Sequence, residues 1–138
     1  MNPKILNSIQ KIASQFIDNH FDLALDTVSI DSRSLQNGSQ TLFFALVGNH
    51  SDAHHYIPEL IENEVKNFVV NHIPEGCETK ANFYVVDNTL VALQEFAAQY
   101  RSFFDFPIIG LTGSNGKTIV KEWLNFLLSP DYNIIRSP

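Results

Sequence analysis

Residues 107–128 read PIIGLTGSNGKTIVKEWLNFLL, and this stretch decides the class of fold. The apolar run 107–111 predicts a buried strand, the glycine-rich segment 112–116 predicts a turn, and the helical spacing of the apolar residues after it predicts an amphipathic helix over 117–128. The apolar stripe of that helix consists of Val120, Trp123, Leu124 and Leu127. A strand, a glycine-rich turn and a helix in this order form a phosphate-binding unit in many α/β proteins.

The turn contains the residue types that phosphate binding requires. Gly113 and Gly116 allow the backbone to direct its N–H groups toward one point, and the start of the helix adds a positive partial charge. Lys117 can reach the terminal phosphates, which makes it the candidate catalytic residue, and the Thr118 hydroxyl can ligate Mg²⁺. The predicted nucleotide-binding residues are Thr112, Gly113, Ser114, Asn115, Gly116, Lys117 and Thr118. Strict Walker A spacing would require a glycine in place of Leu111, so a plain glycine-rich turn stays an alternative.

The residues before this stretch predict a separate α/β unit. Strands are predicted at 27–30, 41–47, 67–71 and 83–86. Helices are predicted around Ile5, Ile9, Ile12 and Phe16, over 56–65, and after Asp87 or Asn88 with an apolar face of Leu90, Leu93, Phe96, Ala97 and Tyr100. Strands that alternate with helices predict a mixed sheet with parallel pairs and flanking helices. The predicted domains are residues 1–104 and 105–138.

The composition limits the classes of function. The chain has 138 residues and a formal net charge of -6, which disfavours a nucleic-acid-binding protein because such proteins usually present a basic face. The single cysteine, Cys77, cannot form a disulfide framework, and no Cys/His cluster has zinc spacing. No apolar stretch approaches the ~20 residues of a membrane span, and residues 1–10 do not resemble a signal peptide. We therefore expect a cytoplasmic protein.

Several motifs resemble those of the Mur ligases. The segment Thr112–Thr118 resembles the TGTNGKT loop of these ligases and of the related folylpolyglutamate synthases. Upstream, Asp31-Ser32-Arg33, the apolar run 43–48, Asp52-Ala53-His54 and the run 68–70 follow in the order typical of the N-terminal uridine-binding domain of the MurE and MurF branches. The Asp-Ala-His triplet and the segment 121–123 look more like the MurF branch. The segment 113–124 is also similar to members fused to an alanine racemase.

The resemblance implies an ATP-dependent ligase of peptidoglycan precursor synthesis. Such a ligase adds D-alanyl-D-alanine to UDP-N-acetylmuramoyl-tripeptide through an acyl phosphate, with ATP and Mg²⁺ as cofactors. Residues 1–104 would bind the UDP-substrate, and residues 105–138 would begin the central ATP-binding domain. The chain would then be an N-terminal fragment that is inactive alone, and we expect a monomer. Ile119 departs from the pattern, since many relatives have a second Thr or Ser there.

The resemblance also indicates where the UDP-substrate would bind. The candidate residues are Asp31, Ser32, Arg33, Gly48, Asp52 and His54. An arginine fork can grip phosphate oxygens, and a serine hydroxyl can bond the base or a phosphate. Three alternatives stay open, namely that Asp31 and Arg33 form a surface ion pair, that Asp52 caps a helix and that His54 only lies at a helix start. The pair Phe43-Phe44 is expected to lie in the core rather than to stack on a base.

Other functions compete with this reading. The chain could be a non-catalytic UDP-binding module with an unused phosphate loop, or a MurE-type ligase that adds a different amino acid. A small kinase or GTPase is disfavoured because its phosphate loop normally follows the first strand, whereas here a whole α/β unit comes first.

Overall fold

The computed structural model describes residues 2–33, 35, 37–48 and 51–137. It separates the chain into Met1–Phe104, called unit 1, and Asp105–Pro138, called unit 2. Within the described residues, no helix has both the length and the apolar character of a membrane span.

Unit 1 contains one five-stranded sheet. Its strands are β1 Gln15–Ile17, β2 Thr27–Ser29, β3 Thr41–Phe44, β4 Asn67–Val70 and β5 Asn82–Val85. The order across the sheet is β1-β5-β4-β3-β2. Strands β2 to β5 run parallel to one another, and β1 joins β5 in the antiparallel direction. The predicted mixed sheet with parallel pairs is confirmed.

Two of the four described α-helices begin at an asparagine whose side chain caps them. The helices are α1 Pro3–Gln10, α2 Ile57–Glu62, α3 Thr89–Arg101 and α4 Lys117–Leu128, with 3-10 turns at Gly38–Gln40 and Ala53–Tyr56. The Asn2 side chain caps α1 by accepting from the N–H of Lys4, and Asn88 caps α3 by accepting from the N–H groups of Leu90 and Val91. Pro58 lies in the first turn of α2, where its missing N–H does no harm.

Both faces of the sheet are buried, which explains the continuous apolar runs of its strands. Along β3, Leu42 and Phe44 face one side and Phe43 and Ala45 face the other. The first side packs against α1 and α3 and contains Ile5, Ile9, Leu25, Val69, Tyr84, Val86, Ala92 and Phe96. The second packs against α2 and contains Ile57, Leu60, Ile61, Val65, Phe68, Val70, Cys77, Ala81 and Phe83. The predicted core position of Phe43 and Phe44 is confirmed.

A pair of buried amides closes the amino ends of the central strands. Asn82 Nδ2 donates to Asn67 Oδ1 at 3.1 Å and to the Phe21 carbonyl at 3.0 Å. Asn67 Nδ2 donates to the Asp22 carbonyl at 2.9 Å, and the Asn19 N–H donates to Asn82 Oδ1 at 2.9 Å. The buried amide groups are thereby satisfied, and segment 19–22 is tied to this edge of the sheet. The candidate ligand residues lie at the opposite, carboxyl edge.

Two predicted helical faces in unit 1 are partly wrong. Helix α1 ends at Gln10, and Phe16 instead lies in β1, where its ring stacks on Tyr84 with centroids 4.5 Å apart. In α3, Leu90 is 49% exposed, and the buried positions are Thr89, Ala92 and Phe96. Phe16 is drawn from the helical pattern by the pairing of β1 with β5. In α3, packing against the sheet selects a different face from the one that the apolar periodicity predicts.

The strand predicted at 107–111 does not form. Unit 2 contains the predicted helix α4, but its other described residues have no regular structure. A strand requires a hydrogen-bonded neighbour, and none of the described residues of 105–137 supplies one. A helix, by contrast, satisfies its backbone within its own segment.

Candidate functional site

The carboxyl ends of four parallel strands meet at one edge of unit 1. Asp31, Ser32 and Arg33 follow β2, whereas Gly48, Asp52 and His54 follow β3. Strand β4 lies beside β3 in the same direction, and Asn71 and His72 follow it. In open α/β sheets, ligands bind outside the carboxyl ends of the strands. The six residues predicted for the UDP-substrate therefore stand at this edge, called here the carboxyl edge.

Asp31 and Arg33 form a two-pronged ion pair at the carboxyl edge. Arg33 Nε donates to Asp31 Oδ1 at 3.0 Å, and Arg33 Nη2 donates to Asp31 Oδ2 at 3.2 Å. These hydrogen bonds lower the pKa of Asp31 and raise that of Arg33. The pair has the geometry of the surface ion pair considered above, yet it also holds the guanidinium in one orientation and leaves Nη1 free of this pairing.

Backbone hydrogen bonds join the described segments that follow β3. Val47 and Asp52 form an isolated antiparallel bridge, and the Gly48 N–H donates to the Ser51 carbonyl at 2.8 Å. The Ala53 N–H donates back to the Leu46 carbonyl at 3.0 Å. Asp52 caps the following 3-10 turn, since its Oδ1 accepts from the His54 N–H at 2.9 Å, and the capping alternative is thus observed. The described residues 46–48 and 51–54 are called the edge turn.

His54 joins the edge turn to the end of β4. Its ring is buried, with an exposed fraction of 2%. Its Nδ1 lies 2.6 Å from Asp52 Oδ1, and its Nε2 accepts from the Asn71 N–H at 3.3 Å. An N–H that points at Nε2 requires this nitrogen to be unprotonated, so Nδ1 bears the proton and donates to Asp52. Both ring nitrogens are therefore engaged within the protein.

Burial and hydrogen bonding determine the charge states of His54 and Asp52. Desolvation lowers the pKa of His54 and outweighs the nearby Asp52 carboxylate, which acts to raise it. Desolvation would raise the pKa of Asp52, but hydrogen bonds from the backbone and ring of His54 outweigh it and lower that pKa. The pair is thus a carboxylate beside a neutral imidazole.

His72 completes a cluster that the sequence did not reveal. Polar atoms of Asp52, His54 and His72 lie within 4.8 Å of one another. The two imidazoles stack with centroids 4.2 Å apart and planes inclined by 16°, and His72 Nδ1 lies 2.7 Å from Asn71 Oδ1. Stacked rings direct their lone pairs along parallel planes rather than toward one point, so the arrangement is a hydrogen-bond network and not a preformed metal site. The long sequence separation of His72 from His54 hid this contact.

The predicted phosphate loop leads into α4. Gly113 has a φ of 139° and Gly116 a φ of 79°, which are backbone conformations that favour glycine. Gly116 is the N-cap of α4 and has no side chain to satisfy the first N–H groups of the helix. The Lys117 ammonium donates to the carbonyl of Gly113, so the lysine folds back across the loop. Exposed N–H groups, a helix start and a lysine are chemically suited to a phosphate anion, and the exposed hydroxyl of Thr118 is suited to Mg²⁺.

Sequence comparison relates this chain to one kind of ligase. It is 41% identical over 114 residues to the UDP-N-acetylmuramoyl-tripeptide--D-alanyl-D-alanine ligase of Synechocystis sp., which covers 82% of this chain and 24% of the relative. It is 33% identical over 108 residues to the ligase of the same name from Bacillus subtilis, which covers 78% of this chain and 23% of that protein. The chain thus spans about a quarter of the length of these curated relatives. No protein-family model matches the chain.

Comparison with solved structures gives the same relationship. A crystal structure of MurF from Acinetobacter baumannii superposes with a TM-score of 0.75 and 26% sequence identity, covering 94% of this chain and 27% of the other. A second structure from that organism, of UDP-N-acetylmuramoylalanyl-D-glutamyl-2,6-diaminopimelate--D-alanyl-D-alanyl ligase, superposes with a TM-score of 0.76, 26% identity and coverage of 94% and 28%.

Proposed function

This chain belongs to the Mur ligase family, and on that premise we propose that it is the N-terminal part of an ATP-dependent ligase that adds D-alanyl-D-alanine to UDP-N-acetylmuramoyl-tripeptide. The supporting observation is the relationship to ligases of that name over 82% of the chain. The names of these relatives specify ligases that add D-alanyl-D-alanine to a UDP-N-acetylmuramoyl-peptide, so a MurE-type ligase is not favoured. Cytoplasmic location and a monomeric state belong to the same proposal.

We propose that the carboxyl edge of unit 1 binds the UDP end of the substrate. Arg33 would offer its Nη1 donors to the diphosphate while Asp31 keeps the guanidinium in place. Ser32 lies between them in sequence and would add a neutral hydroxyl. Gly48 lies in the edge turn and has no side chain to obstruct the approach of a ligand to the backbone. Asp52 would act through the edge turn, since its carboxylate oxygen is already bonded within it.

The phosphate loop would bind ATP. Lys117 and the loop N–H groups would hold the phosphates, and Thr118 would help to hold Mg²⁺, which supplies charge neutralisation when it is bound. In the reaction, the γ-phosphoryl group passes from ATP to the terminal carboxylate of the tripeptide, which yields ADP and an acyl phosphate. The amine of D-alanyl-D-alanine then attacks the acyl carbon, and phosphate leaves as the peptide bond forms. Lys117 contributes by offsetting the negative charge on the phosphoryl group during transfer.

The UDP site can be tested by calorimetric titration with UDP-N-acetylmuramoyl-tripeptide. We expect Arg33→Ala to weaken binding about tenfold or more, since it removes a charge-assisted contact to phosphate. The matched control is Lys80→Ala, which removes an exposed cation just before β5, at the opposite edge of the sheet. Equal affinities for the wild-type chain and Arg33→Ala would contradict the placement of the diphosphate.

The ATP site can be tested with a fluorescent ATP analogue in the presence of Mg²⁺. We expect Lys117→Ala to weaken binding by about tenfold or more, because the ammonium at the loop is lost. Lys121→Ala is the control, since the Lys121 ammonium instead donates to the Ser137 carbonyl at 2.9 Å. We further expect no peptide product from the 138-residue chain with all substrates. Product formation would contradict the proposal that the chain works only as part of a longer ligase.

A further inference from the structure

The carboxyl edge contains a buried histidine that cannot touch a ligand in this arrangement. His54 is 2% exposed, and each of its ring nitrogens has a partner within the protein. The resemblance makes His54 a candidate for direct substrate contact, but in the structure its ring links two segments of the protein instead. It connects Asp52, at the base of the edge turn, to the backbone of Asn71, at the end of the neighbouring strand β4.

The connection is directional. The Asn71 N–H donates to Nε2 at 3.3 Å, and Nδ1 donates to Asp52 Oδ1 over 2.6 Å. The same Asp52 oxygen accepts the His54 backbone N–H at 2.9 Å. Protonation of Nε2 would place two donors, the ring and the Asn71 N–H, against each other and break the link to β4. Only the neutral ring with its proton on Nδ1 makes both hydrogen bonds. The chain Asn71 N–H, His54 ring and Asp52 carboxylate is called here the relay.

We propose that His54 is a positioning residue, whose neutral ring locks the edge turn to the end of β4 in the conformation that receives the UDP end of the substrate. This inference rests on the proposed function for the identity of the ligand. Gly48 and the backbone of the edge turn would contact the UDP end of the substrate. The hydrogen bonds among Asp52, His54 and Asn71 would fix the position of that backbone.

The relay makes substrate binding sensitive to acid. The titratable groups that face His54 are Asp52 and His55 on its own segment and His72 after β4. The pKa of His54 is lowered from its ordinary value of 6.5, chiefly by burial. Because this pKa is lowered, the neutral ring and its hydrogen bonds to Asp52 and Asn71 are fully formed above pH 6.5. They are lost as the pH falls through the folded-state pKa of His54. We therefore expect affinity for the UDP-substrate to fall over that same interval.

The first test is a direct reading of the ring. Nitrogen-15 shifts of the imidazoles, followed by NMR between about pH 5 and pH 8, report the tautomer and charge of each histidine. The relay predicts that His54 is neutral with its proton on Nδ1 at pH 7.5, and that slow hydrogen exchange of the Asn71 amide is lost as His54 becomes charged. A proton on Nε2 at neutral pH, or an Asn71 amide indifferent to the charge of His54, would overturn the relay.

The second test separates positioning from mere structure. A Gln side chain can place its oxygen near the position of Nε2 and accept the Asn71 N–H, whereas Asn mimics only the Nδ1 side. We expect His54→Asn to weaken binding of UDP-N-acetylmuramoyl-tripeptide about tenfold, the loss of about one hydrogen bond. We expect His54→Gln to bind within about threefold of wild type, with little change between pH 7.5 and pH 5.5. His20→Gln is the control and should keep the wild-type pH profile, because this exposed histidine lies in segment 19–22 at the opposite, amino edge of the sheet.

The outcomes distinguish the relay from the proposed function. Thermal unfolding at each pH shows whether a variant is folded where its affinity is measured. Wild-type affinity that is constant while His54 titrates, or His54→Asn binding as tightly as wild type, would overturn the positioning role. If wild type binds no UDP-substrate at any pH, the proposed function fails, and the NMR measurement still decides whether the relay exists.

Discussion

Unit 1 and unit 2 contain apolar residues of the same kinds, but only unit 1 buries them. Phe43, Phe44, Phe68 and Phe83 all have an exposed fraction of 0%, and they lie in two clusters on opposite faces of one sheet. In unit 2, no described residue is buried, and Trp123 is 67% exposed. The apolar stripe predicted for α4 therefore exists as a helix face without a core of its own. The difference shows that periodicity identifies a helix, whereas burial depends on the elements that pack around it.

The comparison also separates the two candidate sites by what holds them in place. The edge turn is fixed by two hydrogen bonds, in which the Asn71 N–H donates to Nε2 of His54 and the Ala53 N–H donates to the Leu46 carbonyl. The phosphate loop is shaped mainly by its own backbone, with Gly113 and Gly116 at positive φ. We thus expect the carboxyl edge to respond to mutations in the core of unit 1 and the phosphate loop to respond to changes in its own glycines.

The largest effect is expected for truncation in the core of unit 1. Phe68 contacts Phe43 and Phe83 with ring centroids 6.1 Å and 5.7 Å away. Phe68→Ala should lower the free energy of unfolding by about 3–5 kcal/mol, because it removes a buried ring and leaves a cavity. Urea denaturation followed by far-UV circular dichroism measures this change. A loss below about 1 kcal/mol would mean that the sheet core is much looser than described.

A smaller effect is expected at Gly38. A Cβ at this position would lie 2.2 Å from the Asn63 carbonyl oxygen. Gly38→Ala therefore forces the 3-10 turn at Gly38–Gln40 away from the end of α2. We expect a loss of about 1–3 kcal/mol in the same denaturation experiment. Gly110→Ala in unit 2 is the control, because its Cβ would meet nothing within 4 Å. If the two variants were equally stable, the close approach of Gly38 to the Asn63 carbonyl would be contradicted.

Tyr84 has an unsatisfied polar group in the core of unit 1. Its hydroxyl is buried and, among the described residues, has no hydrogen-bond partner. Burial, reinforced by the charge of Asp18, raises its pKa to about 12. Tyr84→Phe should therefore raise the free energy of unfolding by about 1 kcal/mol at pH 7.

The same variant has a pH signature. A raised folded-state pKa favours the protonated phenol, so its contribution is complete below the ordinary pKa of 10 and is lost as the pH rises toward about 12. Wild type should lose stability over that interval, and Tyr84→Phe should lose less. Parallel stability curves for the two proteins from pH 9 to pH 12, measured by thermal unfolding, would contradict the burial of this hydroxyl.

The smallest effect is expected at Trp123, the only tryptophan of the chain. Trp123→Ala should change the free energy of unfolding of unit 1 by less than about 0.5 kcal/mol, because an exposed side chain has little packing to lose. In wild type, the fluorescence of this indole should resemble that of an indole in water and should not follow the urea transition seen by circular dichroism. A coincident transition in both signals would show that α4 unfolds together with the sheet.

The sequence predicted most of what local chemistry decides. Helix α4 was predicted over 117–128 and observed at Lys117–Leu128, and the buried strands β3 and β4 lie within their predicted ranges. The close approach of the Asn63 carbonyl, which demands a glycine at position 38, was not visible in the sequence. Phe16 was placed on a helix because its spacing is helical, although its partner Tyr84 in β5 draws it into a strand.

The candidate sites show the same limit. The residues of the carboxyl edge were identified from a resemblance, and parallel strands bring them to one edge. The relay through His54 needed three dimensions, since Asp52 and Asn71 approach the ring from two separate segments. His72 lies far from His54 in sequence and was not predicted to stack on it.

The most direct test of the proposed function is an NMR titration of the isotope-labelled chain. UDP-N-acetylmuramoyl-tripeptide is added first and MgATP second, and backbone amide shifts are followed. We expect saturable shifts at Ser32, Arg33 and Gly48 with the first ligand, and further shifts at residues 113–118 with the second. No shift at the carboxyl edge at millimolar UDP-substrate, in a chain whose spectrum shows it to be folded, would contradict the proposal that unit 1 binds the UDP end of the ligase substrate.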